Sequence, residues 1–303
     1  MSNEKALKTI AKFITDFTKH PMKLYHPIAQ LSGNVFGDFP LREYRKLKKK
    51  KFRFESFDGA KLWAEIFYAD KKKKNPDGRK RIVLMSHGFG NSAPYMLRYA
   101  GIYLDKGYDI MIFDQRGHLK SSKYPHSMGY FEGKDLVEIA KFLRKKYGKD
   151  AIVGLHGESM GSASLYMSLP DIQEYTDFMV CDCGYSNMPE LAAWIAKALF
   201  FLPRKRILKY VEEYSEVNGI HYSDVNSFDK VKNTSPDYPI YFIHGGGDFF
   251  VPTHMTKDLY EQKSGKKKIS IYGKAFHACS QFMHKEQYRQ DIYDFLSENG
   301  IEK

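Results

Sequence analysis

The 303-residue chain has few cysteines and no long apolar run, and both scarcities narrow the class of protein. Its three cysteines, Cys181, Cys183 and Cys279, are an odd and sparse set that predicts no disulfide framework. No segment approaches the roughly eighteen consecutive apolar residues that a membrane-spanning helix requires. The first residues include lysines where a secretory signal would be apolar. We therefore predict a cytoplasmic protein in a reducing compartment.

Acidic residues are outnumbered by basic ones, which gives a formal net charge of +12. The basic residues gather in runs at 45–51, 71–74 and 266–268, and each run flanks or joins predicted strands. Aromatic residues are not interleaved with these runs at the spacing that base stacking needs, so we do not expect a nucleic-acid partner. We interpret the runs as solvated surface. Weak association of the basic N-terminal region with an anionic membrane surface is the alternative.

The N-terminal part of the chain predicts a helix and then a hairpin. Apolar residues recur at helical spacing over residues 5–18, which indicates an amphipathic helix. We expect its apolar face to pack on the domain, and the alternative is that it lies on a bilayer surface. Segments 52–56 and 62–68 alternate apolar and polar residues around Asp58-Gly59, as a β-hairpin does. We divide the chain into an extension, 1–50, and one domain, 51–303.

From residue 81 onward, short apolar strands alternate with helical segments, which is typical of a parallel sheet covered on both faces. The predicted strands lie at 82–86, 109–113, 151–156, 178–181, 240–243 and 268–272. The predicted helices lie near 94–106, 133–147, 162–169, 254–263 and 285–298. The interval 184–237 is longer and mostly helical, so we expect it to form a cap. The predicted class is α/β, with a mostly parallel twisted sheet, an N-terminal antiparallel hairpin, flanking helices and a helical cap.

The stretch Gly157-Glu158-Ser159-Met160-Gly161 is the most informative motif. An apolar strand precedes it, and small and apolar residues that can start a helix follow it. A G-x-S-x-G turn between strand and helix exposes a serine hydroxyl as a nucleophile. Such a hydroxyl needs a base to take its proton and a carboxylate to orient that base. We therefore expect these groups at the ends of other strands of the sheet.

A glycine-rich turn follows the first strand of the parallel series. In His87-Gly88-Phe89-Gly90, glycines at a strand end leave backbone N–H groups able to point inward. The amides of Phe89 and Met160 are the predicted donors to an oxyanion, helped at Met160 by the positive end of a helix dipole. An ordinary tight turn or a phosphate-binding loop is the alternative, and the G-x-x-x-x-G-K-[ST] motif that a phosphate-binding loop would have is absent from the sequence.

The acid and the base are predicted at the ends of the last two strands. Asp248 follows one strand in His244-Gly245-Gly246-Gly247-Asp248, and His277 follows the next in Ala275-Phe276-His277. Ser, Asp and His then occur in the chain order of this kind of triad. Asp182, at the end of the strand after the serine, is the alternative acid. His284 is the alternative base.

These motifs together resemble the α/β-hydrolase superfamily from about Phe52 to the C-terminus. Within it, the chain is similar to bacterial serine hydrolases with a G-E-S-M-G elbow, near the dienelactone-hydrolase-like and prolyl-oligopeptidase-like groups. The resemblance includes the stretch 114–121, a counterpart of D-x-R-G-x-G-x-S in which His118 and Lys120 replace small residues. Phe276 also stands where relatives often have glycine. The resemblance implies the α/β-hydrolase fold, with Ser159, Asp248 and His277 as catalytic residues.

The expected activity is hydrolysis of a small-molecule carboxylic ester, with an acyl or aromatic group, through an acyl-enzyme on Ser159. Lipase, thioesterase or peptidase activity at a membrane surface and a non-catalytic ligand-binding role are the alternatives. We expect no cofactor and no metal, since Cys181-x-Cys183 lacks two further ligands. A tentative substrate pocket contains Trp194, Phe201, Phe249 and Phe276, and core packing under the cap is the other interpretation of these aromatic residues.

Overall fold

The computed structural model describes residues 3–19, 44–70, 77–200 and 204–302. Within these residues the chain forms one eight-stranded sheet in the order β1-β2-β4-β3-β5-β6-β7-β8. The strands are β1 Lys49–Glu55, β2 Lys61–Phe67, β3 Arg81–Ser86, β4 Asp109–Phe113, β5 Ile152–Glu158, β6 Phe178–Asp182, β7 Ile240–Gly245 and β8 Lys267–Tyr272.

The sheet is antiparallel only at its N-terminal edge. β1 and β2 form the expected hairpin, with Phe52 opposite Ala64, and β2 also pairs antiparallel with β4. The remaining pairs, from β4 across to β8, are all parallel. The carboxyl ends of β3, β5, β6, β7 and β8 therefore meet at one edge, because parallel strands end on the same side of a sheet.

The described helices are α1 Asn3–Lys19, α2 Ala100–Leu104, α3 Tyr130–Tyr147, α4 Met160–Ile172, α5 Met188–Phe200, α6 Arg204–Tyr214, α7 Phe228–Lys232, α8 Thr253–Gln262, α9 Ser280–Met283 and α10 Lys285–Glu298. A 3₁₀ turn, Ala93–Tyr99, leads into α2, so the helix predicted over 94–106 is divided. The helix predicted from 133 begins at Tyr130, because the Glu132 carboxylate accepts the Gly129 N–H and caps the first turn.

Apolar side chains are buried on both faces of the sheet. α2 and α10 cover one face, where Tyr103, Tyr288 and Phe295 belong to the buried cluster. α3, α4 and α8 cover the other face, where Leu136, Leu165 and Leu259 are buried. Burial on two faces explains why β3 and β5 contain almost only apolar residues and glycine until their last positions. The α/β class and the α/β-hydrolase fold are confirmed.

A third apolar cluster lies under the cap, which the helices α5 and α6 form. Met160, at the start of α4, belongs to this cluster. The N-terminal helix α1 packs against α6, and its Leu7 and Ala11 are buried in the same cluster. α1 thus packs its apolar face on the domain, which is the arrangement we preferred. Among the described residues, no helix has the length and apolar character needed to cross a membrane.

Gly161 is the point of closest approach between α4 and β3. A Cβ atom at this position would lie 2.1 Å from the Ser86 carbonyl oxygen, a backbone atom that cannot turn away. We expect Gly161→Ala to lower the free energy of unfolding by about 1–3 kcal/mol or more, measured by urea denaturation. Gly273→Ala is the matched control, because no atom lies within 4 Å of its Cβ position. A Gly161→Ala protein as stable as the control would contradict the close approach.

Candidate active site

Ser159 occupies a strained turn between β5 and α4. Its backbone has φ 55° and ψ −118°, in a region that costs a residue with a side chain about 1–3 kcal/mol. The turn is held because the Ser159 N–H donates to the Asp182 carbonyl oxygen at 2.9 Å. The hydroxyl of Ser162 donates to the same carbonyl at 2.8 Å. The end of β6 therefore fixes the turn that presents the Ser159 side chain.

The structure brings Ser159, His277 and Asp248 into one chain of hydrogen bonds. The Ser159 hydroxyl and His277 Nε2 are 3.0 Å apart, and His277 Nδ1 and Asp248 Oδ2 are 2.7 Å apart. A carboxylate can only accept, so Nδ1 of His277 donates its hydrogen to Asp248. His277 Nε2 is then free to accept the hydrogen of the Ser159 hydroxyl. The arrangement is that of a nucleophile, a base and an orienting acid.

Asp248 receives hydrogen bonds on both carboxylate oxygens. The backbone amides of Phe250 and Val251 donate to Oδ1, each at 2.9 Å. Burial alone would raise the pKa of Asp248, but hydrogen bonds from His244 and His277 outweigh it and hold this pKa well below its usual value. The Asp248 carboxylate therefore stays ionised in neutral solution.

His244, at the end of β7, is a second histidine on the same carboxylate. Its Nε2 lies 3.1 Å from Asp248 Oδ2 and 2.9 Å from the carbonyl oxygen of Val251. Both neighbours are acceptors, so this nitrogen carries the hydrogen. The other ring nitrogen lies 2.7 Å from the Thr256 hydroxyl, which fixes the ring from behind. Asp248 is thus held between two imidazole donors, of which only His277 contacts Ser159.

The glycine-rich turn after β3 lies directly beside Ser159. A Cβ atom at Gly88 would come within 3.2 Å of the Ser159 Cβ, so the loop that contains Phe89 borders the hydroxyl. Met160 is the first residue of α4, where helix N–H groups have no partner inside the helix. The loop and the start of the helix therefore both lie next to the Ser159 side chain.

Two buried histidines fix this loop. His118 Nε2 accepts the Gly90 N–H at 3.2 Å, and His118 Nδ1 lies 3.1 Å from the Arg116 carbonyl oxygen. His87 Nε2 accepts the Gln115 N–H at 3.0 Å, and its Nδ1 lies 2.8 Å from the Gly88 carbonyl oxygen. Each ring meets one donor and one acceptor, so both are neutral with the hydrogen on Nδ1. The large residue at 118 therefore braces the turn after β3.

Lys120, the second large residue in the stretch 114–121, extends over the surface. Its Nζ lies 4.0 Å from the centroid of the Trp63 ring on β2. This is a cation–π contact with the hairpin strand, outside the contacts that surround Ser159. The two unusual residues of this stretch thus have separate structural roles.

A buried ion pair joins the serine turn to the histidine loop. Arg98 donates to the Glu158 carboxylate, and the same Arg98 nitrogen donates to the Ala278 carbonyl oxygen at 2.9 Å. The Tyr99 hydroxyl also donates to Glu158, at 2.7 Å. Because Glu158 precedes Ser159 and Ala278 follows His277, this arginine connects the two loops.

The alternative acid and base lie elsewhere. The Asp182 carboxylate accepts a hydrogen bond from the Tyr288 hydroxyl at 3.1 Å, and burial raises its pKa. The His284 ring packs against Tyr272, with ring centroids 5.4 Å apart. Neither side chain takes part in the hydrogen-bond chain that joins Ser159 to Asp248.

Three of the four residues predicted to line a substrate pocket lie at the surface. Phe249, Phe276 and Trp194 are exposed at the rim of the site, and Phe201 lies outside the described residues. Packing in the core under the cap is therefore a wrong interpretation for these three rings. They come from loops and a cap helix that meet beside His277, where no further layer of the described structure covers them.

Cysteine ligands for a metal are not assembled as a separate site. Of the residues the structure describes, one group has metal-ligand atoms close together, namely Cys183, Asp248 and His277, all within 4.8 Å. Asp248 and His277 already bond to each other through the facing atoms. A metal there would have to displace that hydrogen bond, so the group does not fit a resident ion. Cys181 and Cys183 are buried as small side chains.

Sequence reasoning assigned no role to His244, Arg98 or Glu158. His244 is the first residue of the motif that contains Asp248, and Glu158 is the second residue of the serine motif, so both belong to motifs that the sequence shows. Their contacts depend on side chains that meet across different strands. For the link that Arg98 makes between the two loops the sequence carries no local signal, because Glu158 and Ala278 are 60 and 180 positions away.

Comparisons with known proteins agree with this architecture. A family model of the α/β-hydrolase fold matches residues 81–205. The chain is similar to the uncharacterized protein YqkD of Bacillus subtilis strain 168, with 28% identity over 226 residues, 73% of this chain and 72% of the relative. It is also similar in structure to the Pyrococcus furiosus esterase PF2001, with a TM-score of 0.67, 21% identity, and coverage of 86% of this chain and 95% of that one.

A further structural relative is Est1E from Butyrivibrio proteoclasticus, which was solved with ferulic acid bound. The TM-score is 0.61 at 18% identity, over 83% of this chain and 100% of that one. The sequence match and the structural matches point to one class. The chain has the α/β-hydrolase fold and is similar in sequence to the family model of that fold over residues 81–205. The narrower resemblance to dienelactone-hydrolase-like and prolyl-oligopeptidase-like groups stays a prediction.

The buried Arg98–Glu158 ion pair, which connects the Ser159 turn to the His277 loop, can be tested by a double-mutant cycle. We expect Arg98→Met to lower the free energy of unfolding by about 3–5 kcal/mol, because it leaves a buried carboxylate unpaired. Adding Glu158→Gln removes that charge, so the double variant should lose less than the sum of the single losses, by about 0.5–3 kcal/mol. Urea denaturation of the four proteins measures the coupling. Strict additivity would show that the pair is not coupled.

Proposed function

We propose that this protein is a serine hydrolase that cleaves carboxylic esters through an acyl-enzyme on Ser159. The observation that carries the proposal is the continuous hydrogen-bond chain from Ser159 through His277 to Asp248, on a strained turn. The fold supports hydrolase activity, and two structural relatives are described as an esterase and as a protein with bound ferulic acid. Ferulic acid is an aromatic carboxylic acid, which is the kind of acyl product the proposal includes.

In the first step, His277 takes the proton of Ser159 as its Oγ attacks the ester carbonyl. Asp248, already ionised, holds the imidazole in the correct tautomer and stabilises the imidazolium that forms. The amides of Phe89 and Met160 bind the negative oxygen of the tetrahedral intermediate. His277 then gives the proton to the leaving alcohol as the carbon–oxygen bond breaks, and the acyl group stays on Ser159.

In the second step, water replaces the alcohol. His277 takes one proton from the water, the resulting oxygen attacks the acyl-enzyme carbonyl, and the same amides hold the oxyanion. When the intermediate collapses, Ser159 Oγ leaves with the proton from His277, and the carboxylic acid is released. The step consumes one water and regenerates the starting hydrogen-bond chain.

The proposed substrate is a small-molecule ester. The basic N-terminal region remains a proposed site of weak membrane association, although parts of it have partners within the fold. Lys49 Nζ lies 4.9 Å from the ring centroid of Tyr44, and Lys51 lies 3.8 Å from Glu65. The same fold could serve a thioesterase, lipase or peptidase, or bind a ligand without catalysis. Covalent labelling of Ser159 distinguishes the catalytic functions from ligand binding without catalysis.

A fluorophosphonate probe tests the nucleophile directly. We expect rapid labelling of the wild type and none of Ser159→Ala. Asp248→Asn should label about 10²–10⁴-fold more slowly, because the imidazole loses the carboxylate that fixes its tautomer. Asp182→Asn is the matched control and should keep most of the rate. Hydrolysis of p-nitrophenyl esters of increasing acyl length then reports the acyl preference. A wild type without Ser159-dependent labelling would refute the enzyme proposal.

His244 is proposed as a positioning residue for Asp248. We expect His244→Leu to lower kcat by roughly tenfold to a hundredfold, the value of a hydrogen bond to a buried charge, with KM unchanged. His244→Gln keeps a donor and should recover part of the loss. Losing the donor raises the pKa of Asp248 toward its ordinary value, so the ratio of variant to wild-type activity should fall further only as pH drops from about 5 to about 4.

The control for this prediction is structural. Both His244 variants are compared with the wild type by circular dichroism and thermal unfolding, so that misfolding is separated from loss of positioning. A His244→Leu protein with wild-type kcat, or a loss that Gln does not recover and that is independent of pH, would refute the role.

A further inference from the structure

Four aromatic side chains stand exposed around His277. Phe249 is 70% exposed, Phe276 54%, Phe250 43% and Trp194 37%. They come from three separate parts of the chain, since Trp194 belongs to the cap helix α5, Phe249 and Phe250 follow β7, and Phe276 follows β8. Large exposed apolar surface on a soluble domain is typical of a binding site.

Contacts join these residues in part to one another and in part to the proposed base. The ring centroids of Phe249 and Phe276 are 6.5 Å apart in an edge-to-face arrangement, and the Phe250 and His277 centroids are 5.2 Å apart. The Trp194 indole N–H donates to the Phe249 carbonyl oxygen at 2.8 Å, which ties the loop to the cap. These exposed residues next to His277 form what we call the aromatic platform: Trp194, Phe249, Phe250 and Phe276.

The position of the platform determines which half of an ester would meet it. The sheet order places the loop with Phe89 after β3, on one side of β5, and the loops with Asp248 and His277 after β7 and β8, on the other side. The base must give its proton to the departing oxygen, so the alcohol half of an ester lies on the side of His277. Met160 and Phe89 instead adjoin the buried apolar cluster under the cap.

We propose that the aromatic platform binds the alcohol half of the substrate, and that this alcohol carries an aromatic ring. The inference rests on the proposed ester hydrolysis and adds the chemistry of the leaving group. Edge-to-face and stacked contacts with several exposed rings favour an aromatic partner over an aliphatic one of the same size. The open position of the platform leaves room for an alcohol that extends into solvent.

The test compares leaving alcohols of similar acidity, so that binding and not leaving-group reactivity differs. The substrates are the butanoate esters of propanol, cyclohexylpropanol and phenylpropanol. The proteins are the wild type, Phe249→Ala, Phe276→Ala and the double variant, with Phe57→Ala as the control. Phe57 is 44% exposed in the turn between β1 and β2, away from the site. Propyl esters of acetate, butanoate and octanoate report the acyl preference of each protein.

We expect the wild type to prefer the phenylpropyl ester to the cyclohexylpropyl ester in kcat/KM. In the double variant, the ratio of kcat/KM for the phenylpropyl ester to kcat/KM for the cyclohexylpropyl ester should fall about fivefold to tenfold or more, since this variant lacks two of the rings. Its order of acyl preference and its labelling by fluorophosphonate should match those of the wild type. Phe57→Ala should keep the wild-type preference for the aromatic alcohol.

Three outcomes would overturn the proposal. The wild type could show no preference for the aromatic alcohol, the double variant could keep that preference, or the double variant could change acyl preference instead. In each of these cases the wild type still hydrolyses esters, and only the platform inference fails. A wild type that hydrolyses none of the esters and shows no Ser159-dependent labelling would refute the proposed function as well, which makes the two failures distinguishable.

Discussion

The backbone of Ser159 is the constraint on which the site depends. A residue with a side chain is stable at φ 55° only if its surroundings hold it there. Three features fix this backbone conformation. They are the hydrogen bond from the Ser159 N–H to the Asp182 carbonyl, the close approach of Gly161 to Ser86, and helix α4, which begins at the next residue. Strand β6, strand β3 and helix α4 are thus all positioned by one turn. The packing of the sheet with its helices offsets the local cost.

The sequence predicted the parts of the structure that follow from local pattern and topology. Ser159, Asp248 and His277 each follow an apolar strand, and parallel strands end at one edge, so their proximity could be inferred without coordinates. The mostly parallel character of the sheet followed from the alternation of strands with helices. His277 was distinguishable from His284 because it stands in a loop after a strand, whereas His284 adjoins a helix.

Contacts between distant side chains could not be predicted in this way. Arg98 reaches Glu158 and the Ala278 carbonyl, and His118 accepts the Gly90 amide, because separate loops pack at one edge. Whether Phe249 and Phe276 are buried depends on how far the cap extends over the loops. The sequence left both interpretations of these two phenylalanines open, and the structure shows both side chains exposed because no described element covers them.

The packing of α1 on the cap has a consequence for how the cap can move. Leu7 and Ala11 are buried in the same apolar cluster as cap residues such as Ile207. If α6 moved away from α1, the side chains of Leu7 and Ala11 would become exposed to water. The free-energy cost of exposing them adds to the cost of exposing the apolar side chains of the cap. Displacement of α6 and release of α1 therefore form one cooperative event. The N-terminal helix thus adds to the apolar surface that must reach water before α6 and α1 can separate.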